Sequence, residues 1–188
     1  MLNVVKCKTL ETERLILRQF TIDDAQNMYE NWASDELAVK EMPWNIHKSI
    51  SETEQILENW IESYNNDNFY KWAIFSKVDN ELIGDISVVK MSLNSENCEV
   101  GYIIGSEWWN KGYMTEALKM VIDFLINEVG FHLIYALHDV KNPASGRVME
   151  KAGMKYEATM REKHKRKDGT FADLNYYSIT KEDKDEKF

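Results

Sequence analysis

The stretch at 99–118, EVGYIIGSEWWNKGYMTEAL, constrains the fold more than any other part of the chain. A short apolar run through Val100, Ile103 and Ile104 ends in Gly105, and a polar and aromatic stretch leads on to Gly112. Apolar residues then recur at helical spacing at Met114, Leu118, Val121 and Leu125. A strand, a glycine-bearing loop and a helix start in that order present backbone N–H groups to an anion. Gly112, with no Cβ, allows close approach of a ligand to the backbone, and Lys111 adds a cation. The loop is neither GxxxxGK[ST] nor GxGxxG, so it matches neither the nucleoside-triphosphate nor the dinucleotide fingerprint. A plain helix-entry turn would show the same glycine.

With 188 residues, 44% of them hydrophobic, the chain can bury a sizeable core. It carries 32 Asp and Glu against 23 Lys and Arg, a net charge of −9. Such an excess argues against duplex nucleic acid as a partner. Cys7 and Cys98 lack zinc-site or disulfide-framework spacing, and His47, His132, His138 and His164 show no ligand spacing, so no metal is expected. No run reaches the roughly 18 apolar residues of a membrane span, and the N-terminus lacks a signal-peptide core. A soluble, reduced, cytoplasmic protein is the expectation.

Along the chain, Leu15 and Leu17 alternate with Arg14 and Arg18 in a half-buried strand. Thr21 fits an N-cap followed three residues later by the acid Asp24, and Ser49 with Glu52 has capping-box spacing, ahead of two helices. Strands at 70–75, 82–89 and 97–104 form an antiparallel meander with a turn near Asp79 and Asn80. The helix after the loop covers 112–129 and stops near Gly130; a strand follows at 132–138. Asn142 caps a helix that has Pro143 in its first turn and Ser145 just after, and Gly153 ends it. A final hairpin, 155–166 with 171–179, turns at Asp168 and Gly169. Residues 1–180 read as one α+β domain, and the charged tail 181–188 as frayed.

In this order, TERLILRQFTIDDA, EVGYIIGSEWWNKGYMTEAL, NPASGRVMEKAGM and REKHKRKDGTFADLNYYSI resemble the GNAT superfamily of N-acetyltransferases, in particular its RimJ/RimL-like branch. The likeness runs over about 10–180. It implies a mixed, mostly antiparallel central sheet of about seven strands flanked by about four helices. It implies acetyl-CoA as co-substrate, with its pyrophosphate cradled by Asn110, Lys111, Gly112, Tyr113, Met114 and Thr115. The pantetheine arm would pair with the backbone at Ile103 and Ile104 and pass Asn142 and Ser145. Trp109, Asn110 and Met114 depart from the family's usual residues, a tolerable change where the backbone does the binding.

Acetyl transfer from a thioester to an amine requires a neutral amine, a stabilised oxyanion and a protonated leaving thiolate. A backbone N–H among residues 102–104 is the oxyanion candidate, and Ser145 the candidate donor to the thiolate. Glu99 is the candidate base, with a salt-bridged strand acid as the alternative. Tyr113, Tyr135 and His138 are rival groups that packing would equally explain. The acceptor is expected to be a primary amine on a protein N-terminus, ribosomal proteins included, or on a small molecule. The enzyme is expected to be a monomer or homodimer, with no nucleic acid or membrane partner. A non-catalytic acyl-CoA-binding module of the same fold is the other reading. The basic run REKHKRK is a solvated hairpin, or a contact for a phosphate or an acidic partner.

Overall fold

The computed structural model describes residues 2–185. An eight-stranded mixed sheet runs through its centre: β1 (Leu10–Glu11), β2 (Leu15–Arg18), β3 (Lys71–Ser76), β4 (Glu81–Ser92), β5 (Asn97–Ile104), β6 (Leu133–Asp139), β7 (Lys155–Lys165) and β8 (Phe171–Thr180). The spatial order is β1-β2-β3-β4-β5-β6-β8-β7, and only β5 and β6 run parallel. The expected meander is β3-β4-β5. The strand beyond the expected seven is the two-residue edge piece β1.

Helices cover both faces. On one side lie α1 (Ala25–Met28, prolonged by a π-turn over Tyr29–Ala33), α2 (Glu36–Val39) and α3 (Ile50–Ser63). On the other lie α4 (Tyr113–Phe124, prolonged by a π-turn over Leu125–Val129) and α5 (Pro143–Lys151). The sixth is α6 (Lys181–Asp185). Of these, α2 and α6 are too short to show a hydrophobic period, which explains the lower helix count expected from sequence.

Because both faces are covered, β3 is buried almost end to end, as a strand between two helix layers must be. Trp72 and Ile74 point into the core beneath α4, and Ala73 into the core beneath α1 and α3. The second core also holds a buried ion pair. Lys71 Nζ lies 2.5 Å from Asp85 Oδ1, with the Trp60 ring centroid 3.9 Å from the same nitrogen.

Local capping follows the sequence with one variation. Ser49 Oγ accepts from the Glu52 N–H at 3.2 Å, but Glu52 reaches back to the N–H of Lys48 rather than of Ser49. The tail differs from expectation. Lys181–Asp185 is helical, and Lys184 and Asp183 form ion pairs with Asp123 and Lys155. These partners lie far away in sequence, but the start of the helix is a local capping box: Thr180 Oγ1 accepts from the Asp183 N–H and Asp183 Oδ2 from the Thr180 N–H, both at 3.1 Å. The last three residues of the tail lie outside the described residues.

Candidate active site

The site begins where β5 and β6 part. They pair only at Asn97↔Leu133, Cys98↔Ile134 and Glu99↔Tyr135. Beyond Glu99 the edge of β5 is open, while its other edge stays bonded to β4 as far as Ile104. Gly105 N–H donates to Ile83 O at 3.0 Å. By the alternation of an antiparallel ladder, the backbone groups of Ile103 face β4 and those of Tyr102 and Ile104 face the opening. Of the two residues expected to pair with the pantetheine arm, Ile104 therefore has its backbone on the open edge. Its carbonyl already accepts from Trp109 Nε1 at 3.0 Å. Trp109, one of the departures from family pattern, thus ties the loop to the end of the strand while the residue stays 45% exposed.

The loop after β5 holds two left-handed residues, Asn110 at φ 62° and Gly112 at φ 82°. These reversals turn the chain into α4. Among the described residues, no intramolecular acceptor is found for the backbone N–H groups of 110–115, so the start of α4 offers a set of free donors. The loop is braced from behind. Arg14 donates from Nη1 to Lys111 O at 3.0 Å and pairs with Glu116 at 2.6 Å, and its guanidinium lies over the Tyr113 ring. Tyr113 donates its hydroxyl to Asp79 Oδ2 at 2.8 Å, which makes it an anchor of the loop rather than a proton donor in the crevice. Met114 is buried in the core, so it reaches the loop only through its backbone.

Across the opening, α5 begins at the end of β6. Asn142 Oδ1 accepts from the Ser145 N–H at 3.3 Å, so Asn142 is the helix cap. Ser145 faces β5, where its Oγ lies 2.9 Å from the Tyr102 hydroxyl. Burial pushes the Tyr102 phenol well above its ordinary pKa, against a smaller opposing pull from Ser145. His138 is buried next to them. Its Nδ1 contacts Asp139 O at 2.8 Å, its Nε2 lies 3.4 Å from Asn175 Nδ2, and both ring nitrogens are engaged. Gly146 leaves room for that ring, since a Cβ there would stand 2.7 Å from Nε2.

Glu99 sits at the root of the opening with its side chain 14% exposed, and Lys90 Nζ is 3.2 Å from its carboxylate. The register of β4 against β5 shifts between Val88 and Lys90, a bulge that aims Lys90 at Glu99. Burial raises the Tyr135 phenol, and the nearby Glu99 carboxylate adds to the rise. Glu99 is thus salt-bridged and cleft-lining at once. A cleft of about 830 Å³ collects Glu99, Tyr102, His138, Asn142 and Ser145. Among the described residues, no group of three or more His, Cys, Asp or Glu side chains is placed to hold a metal.

The pattern of the Acetyltransferase (GNAT) domain matches residues 14–155. The chain belongs to the GNAT acetyltransferase family. It is 31% identical to the N-acetyltransferase YoaA of Bacillus subtilis over 92% of this chain and 96% of that one. It is 28% identical to the [ribosomal protein uS5]-alanine N-acetyltransferase of Escherichia coli, over 82% and 81% of the two chains. The crystal structure of a GNAT-family acetyltransferase from Bacillus anthracis superposes with a TM-score of 0.81 at 25% identity, covering 93% of this chain and 99% of that one. The chain is an N-acetyltransferase with the GNAT fold and likeness to the RimJ/RimL-like branch.

In this GNAT domain the far wall of the cleft comes from the β7–β8 hairpin and the loop after α2. Arg166 pairs with Asp139 through two hydrogen bonds, at 2.6 and 3.0 Å, which hold Asp139 well below the usual carboxylate range. Lys167 Nζ donates to Val39 O and Trp44 O, both at 3.0 Å. Two site features escaped sequence reasoning: the pairing of Tyr102 with Ser145 and the brace supplied by Arg14. Their partners are 43 and 102 residues away, and neither residue type is unusual at its position. The TER motif around Arg14 was visible, but nothing local connects it to Glu116.

Proposed function

We propose that this acetyltransferase moves the acetyl group of acetyl-CoA directly to a primary amine bound in the cleft. The observation that carries this reading is the succession of three features along β5: free backbone donors at 110–115 beyond its end, its open edge after Glu99, and the Glu99, Tyr102 and Ser145 side chains in the cleft beside it. Acetyl-CoA supplies an activated thioester when bound. The loop donors and Lys111 suit its pyrophosphate, and the open Tyr102 carbonyl and Ile104 N–H suit the amides of its arm.

In this reading Glu99 takes the proton of the attacking amine, directly or through water. The Tyr102 N–H faces the developing oxyanion. Ser145 Oγ gives a proton to the leaving sulfur and is reprotonated from solvent as Glu99 releases the proton it took, with the Tyr102 hydroxyl held against Oγ. A protein α-amine, with a pKa of about 7.7–8.0, is partly neutral at pH 7 and needs little help from Glu99; a lysine amine at about 10.4 needs far more. A protein N-terminus is therefore the favoured acceptor, with a small amine as the other candidate. The relative that acts on ribosomal protein uS5 makes ribosomal-protein termini sensible first probes.

Calorimetry with acetyl-CoA and thiol release across a panel of amines test this. Binding accompanied by amine-dependent thiol release, with a marked loss of turnover in Glu99→Gln, is the expected result. No binding at millimolar acetyl-CoA would sink it. Binding with no transfer to any amine would leave an acyl-CoA-binding module.

A further inference from the structure

The walls of the cleft carry charge of the opposite sign to the rest of the protein. The chain has a net charge of −9, yet six cationic side chains line the cleft against four carboxylates. The carboxylates are also largely committed. Asp139 is held by Arg166, Glu99 by Lys90, and Asp168 by the hydroxyl and N–H of Thr170. Glu41 lies 3.9 Å from Lys40. Among the described residues no carboxylate lies within 4 Å of the Lys141 or Lys163 ammonium, although Lys141 is near enough to help hold Asp139 and Asp168 low, and Lys167 is held only by neutral carbonyls. A low-dielectric cleft focuses such a field on whatever enters it.

The backbone is shaped to put these charges there. Consecutive residues of a regular strand point to opposite faces, yet Lys163 and His164 both line the cleft. A bulge between Met160 and His164 makes this possible. At its centre Glu162, a non-glycine residue, adopts φ 50°, and its N–H is fixed by Asp173 Oδ1 at 2.9 Å. The loop at 110–115, where the coenzyme's pyrophosphate is placed, does not line this cleft. The cations thus stand on the side left for the acceptor.

We propose that the acceptor carries a negatively charged group, a carboxylate or phosphate, close behind its reacting amine, and that Lys141 and Lys163 bind that group. This rests on the acetyltransferase reading above and names the acceptor's chemical class.

The test uses the full chain saturated with CoA, which allows binding without turnover. Two matched pairs of probes are titrated: a short peptide with acidic residues after a free N-terminal alanine against its Asn/Gln isostere, and phosphoethanolamine against ethanolamine. At least one anionic probe should bind about tenfold or more tightly than its neutral partner, and the gap should close near 0.5 M salt, where the Debye length is about 4 Å. The pair showing the gap tells whether the anion belongs to a peptide or to a small phosphorylated amine. In K141E/K163E the preference should vanish while CoA affinity stays within about twofold; K141M/K163M, which adds no new charge, guards against misfolding. Equal binding of anionic and neutral probes in both pairs would overturn the proposal, as would variants that weaken CoA instead. Acetyl transfer from acetyl-CoA is measured alongside. Anionic preference without transfer sinks the transferase reading alone, and transfer without anionic preference sinks this proposal alone.

Discussion

The Tyr102 hydroxyl lies 2.9 Å from Ser145 Oγ and 3.1 Å from the Ser145 carbonyl oxygen, joining β5 to α5 across the opening between β5 and β6. The phenol carries one proton, which it gives either to the Ser145 carbonyl or to the Ser145 hydroxyl, and burial raises its pKa further above neutrality. When the phenol donates to Oγ, the serine's own proton is free to point elsewhere. We expect Ser145→Ala to lower kcat about 10²-fold, and Tyr102→Phe to lower it less. The double variant should be no worse than Ser145→Ala alone, because the two act as a unit. Steady-state kinetics read this, and losses that multiply would separate the two residues.

Gly112 has φ 82°, and a Cβ there would lie 3.5 Å from Arg14 Nη2, an ordinary contact. The cost of a side chain is therefore conformational, about 1–2 kcal/mol for a left-handed L-residue. Gly112→Ala should lose about that much in urea unfolding and bind acetyl-CoA more weakly. Gly112→Trp should abolish acetyl-CoA binding by covering the loop donors. Asn110→Gly, at φ 62°, should be tolerated.

Acid should unfold this protein through a few identifiable carboxylates. Asp139 is held low by Arg166. Burial pushes Glu116 up, but the Thr12 hydroxyl and the N–H and guanidinium of Arg14 outweigh it. Asp79 is held low by the hydroxyls of Ser76 and Tyr113. A carboxylate with a depressed folded pKa contributes stability above its unfolded value, near pH 4, and loses it as pH falls through the folded value. Urea midpoints should therefore fall progressively from about pH 4 downward, and Asp139→Asn should flatten that dependence. An unchanged slope in Asp139→Asn would show that Arg166 contributes nothing there.

The Lys71–Asp85 pair is buried on both sides. Removing one partner should be costly, about 3–5 kcal/mol for Asp85→Ala, because a buried ammonium is left without its counter-charge. Lys71→Met combined with Asp85→Leu should recover most of that loss. Equal destabilisation in the single and double variants would point to packing rather than charge.

Much of the fold was legible because its signals are local. The span of β5 is read correctly from the apolar run that ends in Gly105, the entry to α4 from Gly112, and the cap of α5 from Asn142 followed by Pro143. Each depends on residues within a turn or two of one another. The order at 181–185 was missed partly for the converse reason and partly because the local Thr180–Asp183 capping box went unread. Lys184 and Asp183 are ordered by Asp123 and Lys155, and a charged run considered alone resembles solvated chain. Tyr102 went unnoticed as a side chain because only its backbone seemed to matter in a strand next to the crevice. Trp109, which looked like a departure from pattern, proved to be a strap onto Ile104.

The sequence by itself determined the element order, the position of the glycine loop before its helix, and the family to which that order belongs. These are properties of hydrophobic period and of φ preferences, which act over a few residues. Only the tertiary structure decided that β5 and β6 separate after Glu99, that Tyr102 meets Ser145 across the gap, and that an acidic chain lines its cleft with lysines. Strand register, long-range pairing and the summed field of distant charges are set by packing the whole chain at once, and no short window of residues contains them.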